Sequence, residues 1–150
     1  MKKVLFVASE GVPFIKTGGL ADVVGSLPKC YNKEEYDVRV ILPKYMCMKE
    51  EWKNKMNYVT HFYMDLAWRS QYVGVLEMQY DGVQFYFIDN EYYFAGPKPY
   101  GNIYQDIEKF AFFSKAALSA LPVIGFKPDI VHCHDWQTGL VPVLLKDKFH

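Results

Sequence analysis

The sequence predicts an α/β fold: a mainly parallel sheet that carries an antiparallel hairpin. Three observations point there. An apolar run, Lys3-Val4-Leu5-Phe6-Val7-Ala8-Ser9, feeds a glycine-containing turn and then a helical pattern over residues 20–31. A second apolar run at 37–43 lacks polar alternation, as a strand buried on both faces of a parallel sheet does. Asp81-Gly82 separates two β-rich runs, 72–80 and 83–88, and Asp-Gly is a strong signal for a type I′ hairpin turn.

The elements follow in order. Residues 3–43 read as one βαβ unit, with Pro43 closing its second strand. Residues 44–57 are polar and methionine-rich, and read as a loop with a short helix. Residues 58–88 are aromatic and β-branched, and read as an antiparallel insertion or edge on the sheet. Residues 89–104 are rich in glycine, proline and tyrosine, and read as a long loop of the kind that is usually functional. Residues 103–121 repeat apolar side chains at helical spacing. Phe110, Phe113, Ala117 and Leu121 share one face, and Pro122 with Gly125 ends the helix. Ile130-Val131-His132-Cys133 forms a short strand leading into His134-Asp135-Trp136, and a last helix covers 138–149. About three parallel strands make a thin sheet, so the chain reads as part of a longer protein.

Composition narrows the function classes. The chain has 150 residues, 51% hydrophobic and 17% aromatic, enough for one domain with a core. Lysine plus arginine equals aspartate plus glutamate at 17 each, so neither a nucleic-acid nor a membrane-surface partner is indicated. Cys30, Cys47 and Cys133 are odd in number and form no C-x-x-C, which fits a reduced, cytoplasmic protein. The apolar start is too short for a signal peptide and is cut by Glu10. No run reaches the ~20 apolar residues of a membrane span.

Two clusters carry chemistry. The first is Lys16-Thr17-Gly18-Gly19-Leu20-Ala21-Asp22-Val23, a strand–turn–helix junction. Free N–H groups at a helix start, adjacent glycines and a lysine together suit a phosphate or another oxyanion. The spacing matches neither the P-loop nor the dinucleotide fingerprint. The bland alternative is a loop that only lets the helix pack on the sheet. The second cluster is His132, His134, Asp135, Trp136 and Gln137, at a strand's carboxyl end, where open α/β sheets bind ligands. Three readings are open there: a metal site on the two histidines, buried structural histidines with Asp135 capping the next helix, or a sugar surface. In the last, Trp136 is the platform and His134, Asp135 and Gln137 are hydrogen-bonding groups.

The wording of these stretches is more specific than their chemistry. Ser9-Glu10, Pro13 and the Lys16–Val23 stretch resemble the start of bacterial glycogen synthases and plant starch synthases, retaining glucosyltransferases of glycosyltransferase family 5. The run from Lys127-Pro128-Asp129 to Trp136-Gln137-Thr138-Gly139-Leu140 resembles the family's PDVVHxHDWxxxL motif. Tyr100-Gly101, Asp106 and Glu108-Lys109-Phe110-Ala111-Phe112-Phe113 resemble its YG…D…ERFAFF block. The resemblance covers essentially the whole chain. Two positions depart from the commonest pattern: Gln137, where some members carry histidine, and Lys109, where arginine is commoner.

The resemblance implies a GT-B enzyme with two Rossmann-like domains and an active site between them. Residues 1–150 would be most of the N-terminal, acceptor-side domain, and the C-terminal donor-binding domain would be absent. The implied reaction transfers glucose from ADP-glucose to the non-reducing end of an α-1,4-glucan, with retention and without a metal or other cofactor. Lys16, Gly18, Gly19 and Asp22 would bind the donor phosphates, and Lys16, Asp106, His134 and Gln137 would be the catalytic residues, the last three lining the glucosyl or acceptor side. Glu10, Asp135 and Trp136 would meet the acceptor. The implied partners are ADP-glucose, the glucan and the missing domain of the same enzyme. On this reading the chain alone is inactive. The alternatives are another GT-B glycosyltransferase, a non-catalytic α-glucan-binding module using the aromatic loop at 92–104, and a flavodoxin-like nucleotide binder.

Overall fold

The computed structural model describes residues 1–148. Its strands are β1 (Lys2–Val7), β2 (Tyr36–Pro43), β3 (Asn57–Leu66), β4 (Arg69–Tyr80), β5 (Val83–Asp89) and β6 (Ile130–Cys133). Its helices are α1 (Gly19–Ser26), α2 (Glu50–Lys53), α3 (Ile103–Ile124) and α4 (Leu140–Lys148). The strands form one sheet in the order β3-β4-β5-β2-β1-β6.

Four strands are parallel, because β5 pairs parallel with β2 as well as antiparallel with β4. The parallel part is therefore one strand wider than the sequence suggested. The hairpin is the seam between the parallel sheet and an antiparallel edge made of β4 and β3. Its turn is as expected: Asp81 and Gly82 both have positive φ, 49° and 74°.

Burial follows the topology. β1 lies inside the sheet, and Val4 through Ala8 are at most 1% exposed. Its neighbour β2, and β5 beyond it, bury Val40, Ile41, Leu42, Phe85, Phe87 and Ile88. One sheet face meets α1, where Val24 packs beside Leu42, and the segment before it, where Phe14 stacks edge-on against Phe85 and Phe87. The other face meets α3 and the residues that follow it. There Arg39 reaches out of β2, donates to Tyr86 Oη and lies over the Phe126 ring at 4.2 Å.

Three boundaries differ from the periodicity. α1 stops at Ser26, and Pro28 carries the chain into a 3-10 turn at Leu27–Cys30 instead of a continuous helix. α3 runs on through Pro122 to Ile124, and Gly125, not the proline, closes it. Residues 92–104 are only partly an exposed loop. Tyr93 and Phe94 are buried on Phe112, while Tyr92 and Tyr104 stay exposed. The expected end of the last helix, at Phe149, lies outside the described residues.

α3 has caps at both ends. The Asn102 side chain accepts from Tyr104 N–H, and Gly125 closes the helix at φ 69°. A Cβ at Gly125 would meet nothing within 4 Å, so only the backbone conformation requires glycine. Gly125→Ala is expected to destabilise the fold by about 1 kcal/mol, read as a lowered midpoint in thermal or urea unfolding.

Candidate functional site

All four parallel strands end at one rim of the sheet, and both chemical clusters sit on it. β1 delivers Ser9 and Glu10, followed by the glycine turn. β2 delivers Tyr45, β5 delivers Asn90 and the loop to Tyr100, and β6 delivers His134 to Gln137.

The glycine turn is held from below. Glu10 is 3% exposed, and its carboxylate accepts from both Thr17 N–H (2.7 Å) and Thr17 Oγ1 (2.6 Å). These charge-assisted bonds fix the turn, so the Glu10 carboxylate is engaged within the chain. Lys16 lies across the start of α1 and pairs with Asp22 at 2.8 Å. Both side chains are about half exposed, so the pair contributes at most about 1 kcal/mol and opens easily to a competing anion. Gly18 is the N-cap of α1, and its side makes no capping bond. A Cβ at Gly19 would meet nothing within 4 Å, and one at Gly18 only Glu10 Oε1 at 4.0 Å. Packing within the chain therefore does not demand either glycine.

Ser9 is pinned from two sides. Tyr45 Oη donates to Ser9 O at 2.7 Å, and Ser9 Oγ bonds Tyr100 Oη at 2.6 Å. Burial raises the Tyr45 pKa well above the usual phenol value, and Tyr100 is pushed up to about 12, first by burial. Both stay protonated at neutral pH.

At β6 the register places His132 beside Phe6. The strand ends at Cys133, one residue before His134. The two histidine rings stack at 4.3 Å, and both lie against the Phe6 ring, at 4.9 and 5.6 Å. Among the described residues no group of three or more His, Cys, Asp or Glu is placed to hold a metal ion. His134 is buried in this stack and His132 only half-buried. Burial, aided by His132, lowers the His134 pKa from its ordinary 6.5.

The turn after β6 is strained and clamped. Asp135 sits at φ 60°, ψ −178°, a region that is essentially glycine-only. Its side chain makes no capping bond, so the expected Asp135 helix cap is absent. Buried Thr138 holds the turn instead: its hydroxyl accepts from His134 N–H and donates to His134 O, both at 2.8 Å. The turn leaves Trp136 51% exposed, while His134 and Gln137 are at most 9% exposed. His134 Nε2 and Gln137 Oε1 are buried without a hydrogen-bond partner. Native structures hold few such atoms, and each calls for an explanation.

Asp106 comes from α3, beside the loop that carries Tyr100. It lies in the first turn of α3, 4% exposed, accepting from Gly101 N–H at 2.9 Å and paired with Lys109 at 3.4 Å. Its carboxylate ties the loop before α3 to the helix. Sequence reasoning missed three residues: Tyr45, Thr138 and Tyr100 as a rim residue. Tyr100 was visible as half of a Tyr-Gly pair, but a lone Tyr45 or Thr138 carries no signal of its own.

The profile of the starch synthase catalytic domain matches residues 3–150. The chain belongs to the starch synthase catalytic domain family. It is 73% identical over 149 residues to a glycogen synthase of Lachnoclostridium phytofermentans, covering 99% of this chain and 31% of that one. It is 54% identical over 147 residues to a glycogen synthase of Geobacillus thermodenitrificans, covering 98% and 30%. The chain thus spans about a third of the length of these curated relatives. Its fold matches the catalytic domain of starch synthase IV from Arabidopsis thaliana, solved bound to ADP and acarbose. That match has a TM-score of 0.87 and 33% identity, over 99% of this chain and 31% of that one. The mixed sheet is accordingly that of the family's GT-B catalytic domain. Among the described residues no helix is long and apolar enough to cross a membrane.

Two outcomes follow. Asp135→Gly should raise stability by about 1 kcal/mol, since the strain relieved (roughly 1–3 kcal/mol) exceeds glycine's unfolded-state cost. Chemical denaturation of the two proteins side by side reads it. A His134 that prefers to be neutral when folded makes stability fall as pH drops below 6.5 toward its lower folded value. His134→Gln should flatten that part of the stability–pH curve, and an unchanged slope would count against a buried neutral imidazole.

Proposed function

We propose that this chain is the acceptor-side part of a retaining glucosyltransferase that moves glucose from ADP-glucose to the non-reducing end of an α-1,4-glucan. One observation carries the reading. A glycine turn suited to an anion and a turn with an exposed indole lie on the same sheet rim, in a chain whose structural relative was solved with ADP and acarbose. The enzyme would work in the cytoplasm. It would need no resident metal, because the turn amides and Lys16 supply the positive potential the phosphates require.

In this reading Lys16 exchanges Asp22 for the diphosphate. The charge that develops on the leaving ADP is then met by Lys16 and by the amides of Gly18 and Gly19, donors fixed before the reaction begins. Gly19, with open space around it, lets the diphosphate reach the start of α1. His134 Nε2 and Gln137 Oε1 face the transferred glucose, whose hydroxyls satisfy both atoms. A neutral His134 can accept or donate one hydrogen bond to a sugar without adding charge. Trp136 gives the acceptor's ring faces an apolar platform, and Asp135 a carboxylate for its hydroxyls. Glu10 and Asp106 act one step back, holding the glycine turn and the loop before α3.

The test is a pair of calorimetric titrations of this chain, with maltoheptaose and with ADP, repeated on Lys16→Ala. Maltoheptaose is expected to bind both proteins equally, and ADP to bind the unsubstituted chain weakly and Lys16→Ala not at all. ADP binding that ignores Lys16 would remove the phosphate role. Failure of maltoheptaose to bind either protein would remove the acceptor role.

A further inference from the structure

Tyr100 joins the two clusters physically, and neither cluster's own chemistry calls for it. Its hydroxyl reaches the end of β1, bonding Ser9 Oγ at 2.6 Å, and the next residue, Glu10, holds Thr17 of the glycine turn. Its ring meets Phe110 at 5.8 Å, and Phe110 meets the Trp136 ring edge-on, also at 5.8 Å. One side chain thus touches the strand end beneath the Lys16–Gly19 turn and, through a single buried ring, the indole of the β6 turn.

The connection is stiff at both ends. Ser9 is fully buried and is fixed independently by the Tyr45 hydroxyl. Phe110 is 2% exposed on α3. The segment carrying Tyr100 is anchored beside it, since Gly101 N–H donates to Asp106 and Lys109 Nζ donates to Pro99 O at 2.8 Å. A packed ring between two anchored groups has few ways to yield, so a shift of the indole presses on Tyr100 and through it on the Ser9–Thr17 segment.

We propose that Tyr100 is a positioning residue that couples the Trp136 turn to the glycine turn. This rests on the acceptor reading of Trp136. Glucan seated on the indole would set the geometry of the glycine turn through the Phe110 ring and the Tyr100 hydroxyl. Coupling free energies are reciprocal, so an anion at the glycine turn would be felt at the indole by the same route. The two atoms of the link can be cut separately. Tyr100→Phe keeps the ring on Phe110 and removes only the hydroxyl. Ser9→Ala removes the partner hydroxyl and leaves Tyr100 whole.

The experiment is an NMR titration of the ¹⁵N-labelled chain with maltoheptaose, following the Trp136 indole N–H and the Gly18 and Gly19 amides. In the unsubstituted chain all three signals are expected to move along one binding curve. In Tyr100→Phe and in Ser9→Ala the Trp136 shift is expected to persist with the same dissociation constant, and the glycine shifts to be lost. A residue that merely supported the fold would not separate the two. Glycine shifts that persist in both variants would overturn the coupling, as would glycine amides that stay still in the unsubstituted chain while Trp136 moves. Either result leaves the acceptor reading standing. No Trp136 shift in the unsubstituted chain would overturn the acceptor reading, and the coupling with it.

Discussion

A strand buried on both faces can show polar chemistry only at its ends. β1 is such a strand: from Val4 to Ala8 it gives nothing to solvent. Its carboxyl end then turns polar at once, with Ser9 and Glu10, both still buried. Burying a serine and a carboxylate costs several kcal/mol unless each is paired, so the fold must supply partners there. It supplies them from three directions: Tyr45 after β2, Tyr100 before α3, and Thr17 from the turn itself. The position of the glycine turn is a consequence of meeting that demand.

The β6 turn meets the opposite condition. Here the chain leaves polar atoms unpaired, at His134 Nε2 and Gln137 Oε1, and holds Asp135 in a conformation that favours glycine. Costs of this kind persist only where surrounding structure over-determines the backbone. Thr138 provides that, with one hydroxyl serving both the N–H and the C=O of His134. The stacked His132 and Phe6 rings close the other side.

Much of this was readable from the residues. The apolar runs of β1 and β2 announced a parallel sheet, and Asp81-Gly82 announced the hairpin. The Lys16–Val23 and Pro128–Leu140 stretches announced the family and both halves of the rim. What was not readable depended on partners far away in the chain. A period-2 pattern could not show that β5 belongs to the parallel sheet as well as to the hairpin, because strand pairing is a tertiary fact. Tyr93 and Phe94 looked like loop aromatics until Phe112 was placed beneath them. That Asp106 would be held by Gly101 and Lys109 likewise depended on how the loop before α3 folds. Nor could the sequence show that Glu10 would be engaged by Thr17.

The two halves of the rim differ in stiffness. The ion pair over the glycine turn, Lys16–Asp22, is half exposed, and such pairs contribute little. Lys16 can therefore part from Asp22 at small cost, which is what the proposed role at a leaving diphosphate requires. The β6 turn is fixed by a buried hydroxyl, stacked rings and a constrained backbone, so what it presents is a shape. A loose cation on the same rim as a rigid surface suits the proposed reaction, in which one partner departs as an anion and the other must be held in one orientation. The Tyr100–Phe110 link lies between them, where the rigid side can set the geometry of the loose one.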